Sequence, residues 1–217
     1  MTDAMTLDVV DRVAYLTINR PEKRNAMSTE MWTNLLDHIR WIDHATDVSA
    51  VVLQGGGGSF SAGGDLTELR RLDPGNSQRY RDLAETTVVA LMDLALPKLA
   101  AIDGPCFGAG CSLALACDVR LSSFSSQFGI PALKNGLVYE QVFVQRLVQI
   151  VGSGPASLLL YGADSWTADE AAAYGLVDKL TADVPAAVEN ILKCLRDAND
   201  GAIACTATFI RTTPRFN

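Results

Sequence analysis

The sequence predicts one α/β domain, and three observations lead to that prediction. Short runs of β-branched and other apolar residues alternate with segments whose apolar residues recur every three or four positions. The 217 residues include 48% hydrophobic and 20% charged side chains, which is the composition of a folded globular protein. No stretch has the composition of a linker and no segment repeats, so we expect a single core.

The predicted elements follow in chain order. A hairpin opens the chain, because two β-rich runs flank Asp11 and Arg12, which form a two-residue turn. Ser28 is the expected N-cap of an amphipathic helix. The predicted strands are residues 7–10, 13–18, 50–53, 99–102 and 119–122, and the predicted helices are residues 27–42, 80–94, 111–116, 141–151, 155–160, 168–174 and 186–196, with another beginning at residue 66. Residues 73–78 contain Pro, Gly and Asn, so we expect a mobile loop there.

Charge and hydropathy exclude several classes of partner. Lys and Arg number 18 against 25 Asp and Glu, giving a net charge of −7, whereas proteins that bind nucleic acid have a basic surplus. No apolar run approaches the ~18 residues of a membrane span, and the first ten residues carry no basic residue of a secretory signal. We therefore expect a cytoplasmic protein that binds neither nucleic acid nor membrane.

The cysteine and histidine content argues against a metal site. The five cysteines lack CxxC spacing, and His38 and His44 are the only histidines of the sequence. No metal-ligand set can be assembled from them, and we do not expect a Ser-His or Cys-His nucleophile, because neither histidine lies near a nucleophile elbow. We expect the cysteines to be small buried hydrophobic residues.

Two glycine-rich segments are the candidates for chemistry. Residues 61–65 and 108–111 each follow an apolar strand and precede a helical pattern. Free N–H groups at helix N-termini favour an anionic oxygen, so two converging segments would form an anion or carbonyl site. The alternative is that these glycines only permit tight turns. Neither segment fits a dinucleotide-binding GxGxxG motif, and the sequence contains no GxxxxGK[ST] motif.

Six short motifs, in this order, resemble those of the crotonase (enoyl-CoA hydratase/isomerase) family. Each is weak alone, but six in register over about residues 7–180 are specific. They read RPEKRNA (20–26), FSAGGDL (60–66), DGPCFGAGC (103–111), LACDVR (115–120), QFGIP (127–131) and TADEA (167–171) with YGLV (174–177).

The resemblance implies a crotonase-like spiral of repeated ββα units. Its core would cover residues 1–180, and residues 181–217 would form a shortened C-terminal helical segment, where relatives continue with helices that cover the acyl pocket and build the trimer. The resemblance also implies an acyl-CoA substrate, no permanently bound cofactor, and a homo-oligomer that is a trimer or a dimer of trimers.

The resemblance further implies which residues bind the thioester. The backbone N–H groups of Gly64 and Ala109 would hold the carbonyl oxygen, and each such donor contributes roughly 3–4 kcal/mol to stabilising an enolate. The positions that match coenzyme A contacts are Arg24, Ala26, Ala62, Gly63, Gly64 and Asp65. Arg24 is the expected phosphate contact among the three loop cations Arg20, Lys23 and Arg24, for which the alternative is a solvated loop.

The sequence departs from the family at two catalytic positions. Typical hydratases carry two glutamates where this chain has Ser112 and Ala132, and neither of these side chains can act as the acid or base of water addition. Glu140 remains, in an apolar setting, and matches the loop position where isomerase and dehalogenase members place an acidic catalytic residue. Burial is expected to raise its pKa toward a value useful for proton transfer. The alternative is an exposed residue at a helix start.

Three functions remain open at this stage. The first is double-bond isomerisation of an enoyl-CoA, with Glu140 as the base and Gly64 and Ala109 as the oxyanion donors. The second is an enoyl-CoA hydratase with a non-standard acid or base. The third is a non-catalytic acyl-CoA-binding protein that keeps the pocket.

Overall fold

The computed structural model describes residues 3–162 and 165–213, over which the chain forms two sheets surrounded by helices. The strands are β1 (Met5–Val10), β2 (Val13–Ile18), β3 (Ala50–Gly55), β4 (Lys98–Ile102), β5 (Pro105–Phe107), β6 (Val119–Ser123), β7 (Gln127–Gly129), β8 (Trp166–Thr167) and β9 (Lys179–Thr181). The α-helices are α1 (Thr29–His44), α2 (Leu66–Leu69), α3 (Pro74–Asp93), α4 (Ala109–Ala116), α5 (Gln141–Val151), α6 (Ser153–Tyr161), α7 (Ala168–Ala173), α8 (Val184–Arg196) and α9 (Asp200–Thr212).

The chain alternates between the two sheets. The larger sheet has the order β1-β2-β3-β4-β6-β9, and the smaller has the order β5-β7-β8. The β1–β2 and β7–β8 pairs are antiparallel, and the other strand pairs are parallel. From β4 the chain enters β5 and then α4, and from β6 it enters β7 and then α5, so each passage is a ββα unit. The α/β fold and the spiral of ββα units agree with the sequence prediction.

Local sequence signals explain the first elements. Asp11 and Arg12 form the hairpin turn with φ of 48° and 66°, the left-handed values that a two-residue turn requires. Ser28 caps α1, because its side chain accepts a hydrogen bond from the Met31 N–H at 3.3 Å. Both features were predicted.

The larger sheet is covered on both faces. Alternate residues of β3 point in opposite directions, so Val51 and Leu53 join the main core while Val52 packs with the other cluster. Helix α8 covers that second face through Val188 and Leu192. Within the described part of the C-terminal segment, α8 is therefore packed on the sheet.

Two buried cations connect the parallel strands. The Lys98 ammonium lies 3.2 Å from the Asp118 carboxylate and also donates to two backbone carbonyls. The Arg120 guanidinium lies 2.6 Å from the Asp178 carboxylate. Because a buried charge is tolerated only when it is paired and hydrogen-bonded, these contacts stabilise the junction of β4, β6 and β9.

Several predicted details were wrong. Residues 73–78 are not a mobile loop: Asp73 caps α3 and Pro74 is its first residue, since Pro is favoured at that position. The short strands β5, β7, β8 and β9 and the helix α9 were not predicted. Cys106, Cys111 and Cys117 are buried, but Cys194 and Cys205 are exposed, so the expectation fails for those two. In the described ranges, no helix is long and apolar enough to cross a membrane.

Candidate functional site

One cavity brings together most of the residues that the sequence singled out. It has a volume of about 190 Å³ and is lined by α2, the first half of α3, the start of α4 and the segment that leads into α5. Its wall includes the apolar side chains of Trp32, Leu69 and Phe107. The polar and charged side chains at the wall are those of Ser77, Tyr80, Arg81, Ser112, Asn135, Tyr139 and Glu140.

Gly64 lies at the cavity wall, and its backbone N–H donates to no described residue. The Met27 backbone holds the chain on both sides of it. The Met27 N–H donates to the Gly63 carbonyl at 2.7 Å, and the Asp65 N–H donates to the Met27 carbonyl at 2.8 Å. Gly63 has a φ of +100°, a conformation that side chains disfavour. This part of the loop is therefore rigid, with one amide left available.

Ala109 supplies the second available amide. It is the first residue of α4, where the N–H groups of the first turn have no partner within the helix. Gly108, with a φ of +47°, makes the turn into this helix, and its N–H donates to the Gly129 carbonyl at 2.8 Å. The start of α4 is thereby anchored to β7.

Small residues allow the two segments to approach each other. A Cβ built on Gly63 would lie 3.6 Å from the Ala109 nitrogen, and one built on Gly110 would lie only 2.8 Å from the Ser61 carbonyl oxygen. Gly64 and Ala109 thus line the same cavity, on segments that are in contact. Two such donors can bind one developing oxyanion.

Tyr80 supports the Gly64 loop from inside the protein, a role that no pattern in the amino-acid sequence indicates. Its hydroxyl donates to the Met27 carbonyl at 2.9 Å and accepts a hydrogen bond from the Trp32 indole nitrogen at 3.0 Å. A Cβ on Gly64 would lie 3.0 Å from the same hydroxyl. These residues come from three separate parts of the chain, around residues 27–32, 64 and 80, so no local sequence pattern indicates these contacts.

Asp65 and Arg20 form a partly buried ion pair. The two side chains are 2.8 Å apart, and the Asp65 carboxylate also accepts hydrogen bonds from the Thr67 and Glu68 N–H groups at the start of α2. Burial opposes ionisation of Asp65, but Arg20 and these two amides outweigh it and lower its pKa. Both charged groups are therefore engaged in holding the loop.

Arg24 stands on the outer side of the same loop. Its carbonyl accepts a hydrogen bond from the Ala62 N–H at 2.8 Å, which joins the basic loop to the cavity wall. The side chain is exposed, and its guanidinium pairs with no described acidic group. Ala26 is half-buried and its carbonyl accepts a hydrogen bond from Arg20 at 3.2 Å.

Glu140 lies half-buried at the cavity wall, immediately before α5. Its side chain does not cap that helix. Burial raises the pKa of Glu140 above its usual range, and its own backbone N–H and the Arg81 guanidinium only partly oppose this effect. A carboxyl group in such a setting can exchange a proton near neutral pH more readily than an exposed one.

Ser112 and Ala132 also line the cavity. The Ser112 hydroxyl lies 2.6 Å from that of Tyr139, whose ring packs against Phe143 with centroids 5.5 Å apart. In residues 3–162 and 165–213, no three His, Cys, Asp or Glu side chains are placed to hold a metal ion.

Comparison with known proteins gives consistent matches. The profile of a family described as enoyl-CoA hydratase/isomerase matches residues 9–213. The chain is 34% identical over 175 residues to the short-chain-enoyl-CoA hydratase of Clostridium acetobutylicum, covering 80% of this chain and 67% of that protein. It is 32% identical over 175 residues to the crotonyl-CoA hydratase of Syntrophomonas wolfei, with the same coverages of 80% and 67%.

The matches in solved structures cover more of the fold. The structure of an enoyl-CoA hydratase/isomerase family protein from Hyphomonas neptunium superposes with a TM-score of 0.93 at 30% identity, covering 97% of this chain and 82% of that one. The chain spans about two thirds of the length of the curated relatives it matches.

Proposed function

Because this chain belongs to the enoyl-CoA hydratase/isomerase (crotonase) family, we propose that it processes acyl-CoA thioesters through an enolate. The observation that carries the proposal is one cavity lined by Gly64 and Ala109, whose backbone amides donate to no described residue, and by a half-buried carboxyl group. The amides of Gly64 and Ala109 would bind the thioester oxygen, and Glu140 would move the proton. Donors that are fixed before the reaction stabilise developing charge without reorganisation, and the clamped Gly63 and Gly108 backbones meet that condition.

Double-bond isomerisation is the reaction we propose most concretely. Glu140 would remove a proton from C2 of a 3-enoyl thioester, and the electron pair would delocalise onto the carbonyl oxygen bound by the two amides. The same carboxyl group would return the proton to C4, which moves the double bond to C2–C3. Only one acid–base group is needed, and Glu140 is the one acidic side chain at the described cavity wall.

Hydration is the second candidate, and the names of the relatives favour it, since two of them are described as hydratases. Glu140 would then take a proton from water and return it to C2 while the water oxygen adds to C3. Ser112 and Ala132 contribute no carboxylate to this reaction. In a hydration reaction, Glu140 must therefore act first as the base and then as the acid.

The basic loop is the proposed site for the nucleotide part of the substrate. The exposed Arg24 joins the cavity wall through the hydrogen bond between Ala62 and its own carbonyl, so a bound thioester could extend from the cavity to this side chain. Coenzyme A would enter as part of the substrate, with no permanently bound cofactor.

The family resemblance also supports a homo-oligomer, a trimer or a dimer of trimers, which sedimentation velocity tests.

Exchange of the C2 protons of butyryl-CoA with deuterium oxide tests the enolate directly, whatever the final product is. The wild type should incorporate deuterium, measured by mass spectrometry of the recovered thioester. Glu140→Gln should bind butyryl-CoA with unchanged affinity but exchange about 10²–10⁴-fold more slowly, which is the range of general base catalysis. The control is Glu85→Gln, which removes a half-buried carboxylate close to Glu140 but outside the cavity wall.

The outcomes separate the candidates. Binding without exchange in the wild type would favour the non-catalytic acyl-CoA-binding protein, and exchange that survives in Glu140→Gln would place the base elsewhere. Parallel assays with 3-butenoyl-CoA and 2-butenoyl-CoA then distinguish isomerisation from hydration.

A further inference from the structure

The hydroxyl groups of Ser112 and Tyr139 meet in a part of the cavity whose other side chains are mainly apolar. The Ser112 and Tyr139 oxygens are 2.6 Å apart, and both side chains line the cavity. Ser112 is only 2% exposed, and the Tyr139 ring is held by its contact with Phe143. Neither hydroxyl has a role in the proton transfer assigned to Glu140.

The hydrogen-bonding capacity of this pair is not used up. Two hydroxyl groups carry two protons, and the contact between them uses one. The other bond of the pair to a described residue runs from Ser112 to the Gly108 carbonyl at 3.4 Å, which is long for a hydroxyl donor. Tyr139 makes no second hydrogen bond within the described ranges. One proton and several lone pairs therefore remain for a polar group in the cavity, and a buried hydroxyl without a partner is costly.

Both hydroxyls are uncharged near neutral pH. Burial raises the pKa of the Tyr139 phenol well above its usual value, so this group does not ionise. A neutral pair that can both donate and accept suits a neutral oxygen, such as that of an alcohol or of water. The pair supplies no positive charge, so it suits a carboxylate or a phosphate less well.

The position of Ser112 and Tyr139 indicates which part of a bound thioester they would contact. Ser112 follows Ala109 by three residues on α4, so the two lie on the same face of the helix, separated by about 4.5 Å along its axis. An acyl group whose carbonyl oxygen is bound at the Ala109 amide would therefore pass its next carbons along this face. Its C3 substituent would come near the hydroxyl pair.

We propose that Ser112 and Tyr139 form a hydroxyl-binding subsite for the neutral oxygen on C3 of an acyl thioester. The proposal rests on the proposed function, because it assumes that the thioester carbonyl lies at Gly64 and Ala109. The oxygen has two sources, the hydroxyl of a bound 3-hydroxyacyl thioester or a water molecule poised to add to a 2-enoyl thioester. In the second case the water oxygen forms the bond to C3, the double-bond electrons move to the enolate, and Glu140 carries one water proton to C2.

Paired titrations test the subsite. Butyryl-CoA and 3-hydroxybutyryl-CoA differ by one hydroxyl, so the ratio of their dissociation constants isolates its contribution. Tyr139→Phe and Ser112→Ala should keep the affinity for butyryl-CoA within about twofold and should weaken 3-hydroxybutyryl-CoA by about fivefold to tenfold, the value of one neutral hydrogen bond. The matched control is Tyr161→Phe, which removes the hydroxyl of a 75%-exposed tyrosine and should leave both affinities unchanged.

A second assay identifies the source of the oxygen. If the subsite holds the water that adds to C3, the variants should also hydrate 2-butenoyl-CoA about tenfold more slowly than the control, whereas a lower affinity for 3-hydroxybutyryl-CoA alone would indicate a bound hydroxyl only. Either selective effect supports the subsite. Equal weakening of both thioesters, or variants that match Tyr161→Phe in both assays, would overturn it. Wild-type protein that binds neither thioester would overturn the proposed function and the subsite together.

Discussion

Replacement of Gly110 by Ala tests whether the two oxyanion donors depend on the close approach of α4 to the Gly64 loop. The added methyl group would lie 2.8 Å from the Ser61 carbonyl oxygen and 3.0 Å from the Ser61 Cβ. Ordinary van der Waals contact begins at about 3.4 Å, so the two backbones must separate by roughly 0.6 Å. Neither backbone can avoid the contact by changing a side-chain rotamer.

The separation should affect catalysis more than folding. Over-packing of this kind destabilises a protein by about 1–3 kcal/mol. The Ala109 amide is one residue from the change, and a misplacement near 1 Å at a catalytic group can lower a rate by about 10²-fold. We therefore expect Gly110→Ala to remain folded and to exchange the C2 protons of butyryl-CoA about ten to a hundred times more slowly than the wild type.

The control is Gly154→Ala, because a Cβ at this helical position meets nothing within 4 Å. Pro155 follows directly and disfavours a helical conformation at a preceding residue that carries a Cβ, so this variant should lose some stability but remain equally active, which separates destabilisation from an effect on the donors. Urea unfolding and the deuterium exchange assay measure the two quantities. A Gly110→Ala variant with the wild-type exchange rate would show that the donors do not depend on this contact.

Three further changes have expected outcomes. Glu140→Gln should be more stable than the wild type at neutral pH and equally stable below about pH 4. The pKa of Glu140 is raised in the folded protein, so the wild type loses stability as this carboxyl group ionises with rising pH. Thermal melting at a series of pH values measures the difference. Arg24→Ala should weaken acyl-CoA binding a few-fold and reduce its salt dependence, whereas Arg40→Ala, on the exposed face of α1, should change neither; titration at two salt concentrations decides. Lys98→Met should lower the free energy of unfolding by about 3–5 kcal/mol, measured by denaturant unfolding, because it leaves the partly buried Asp118 without its cation. A decrease in the free energy of unfolding below about 1 kcal/mol would contradict the structural role of the pair.

The elements that could be predicted from the sequence are those with local signals. The turn at Asp11 and Arg12 and the N-cap at Ser28 depend on residues within three positions of each other, and both were predicted correctly. The predicted loop at residues 73–78 was wrong because Pro and Gly are common both in turns and at a helix start. Strands as short as β7 and β8 have no local pattern, because they exist only through pairing with distant segments.

The residues of the site also divide into those identified by local sequence signals and those that depend on distant contacts. The glycine-rich segments and Glu140 were identified from motifs, and the structure places Gly64, Ala109 and Glu140 at one cavity. The hydrogen bonds that connect Tyr80 to Trp32 and Met27 span 48 and 53 positions, so the support of the Gly64 loop could not be read from the sequence. The engagement of Asp65 with Arg20, 45 positions away, was missed for the same reason, and it shows that Asp65 is held by the protein's own groups.

A crystal structure with bound butyryl-CoA would test most directly the claim that this cavity holds an enolate. We expect the thioester carbonyl oxygen to lie about 3 Å from both the Gly64 and the Ala109 amide nitrogens, with C2 facing the Glu140 carboxyl group. A thioester whose oxygen contacts neither amide, or whose C2 lies beyond the reach of Glu140, would contradict it.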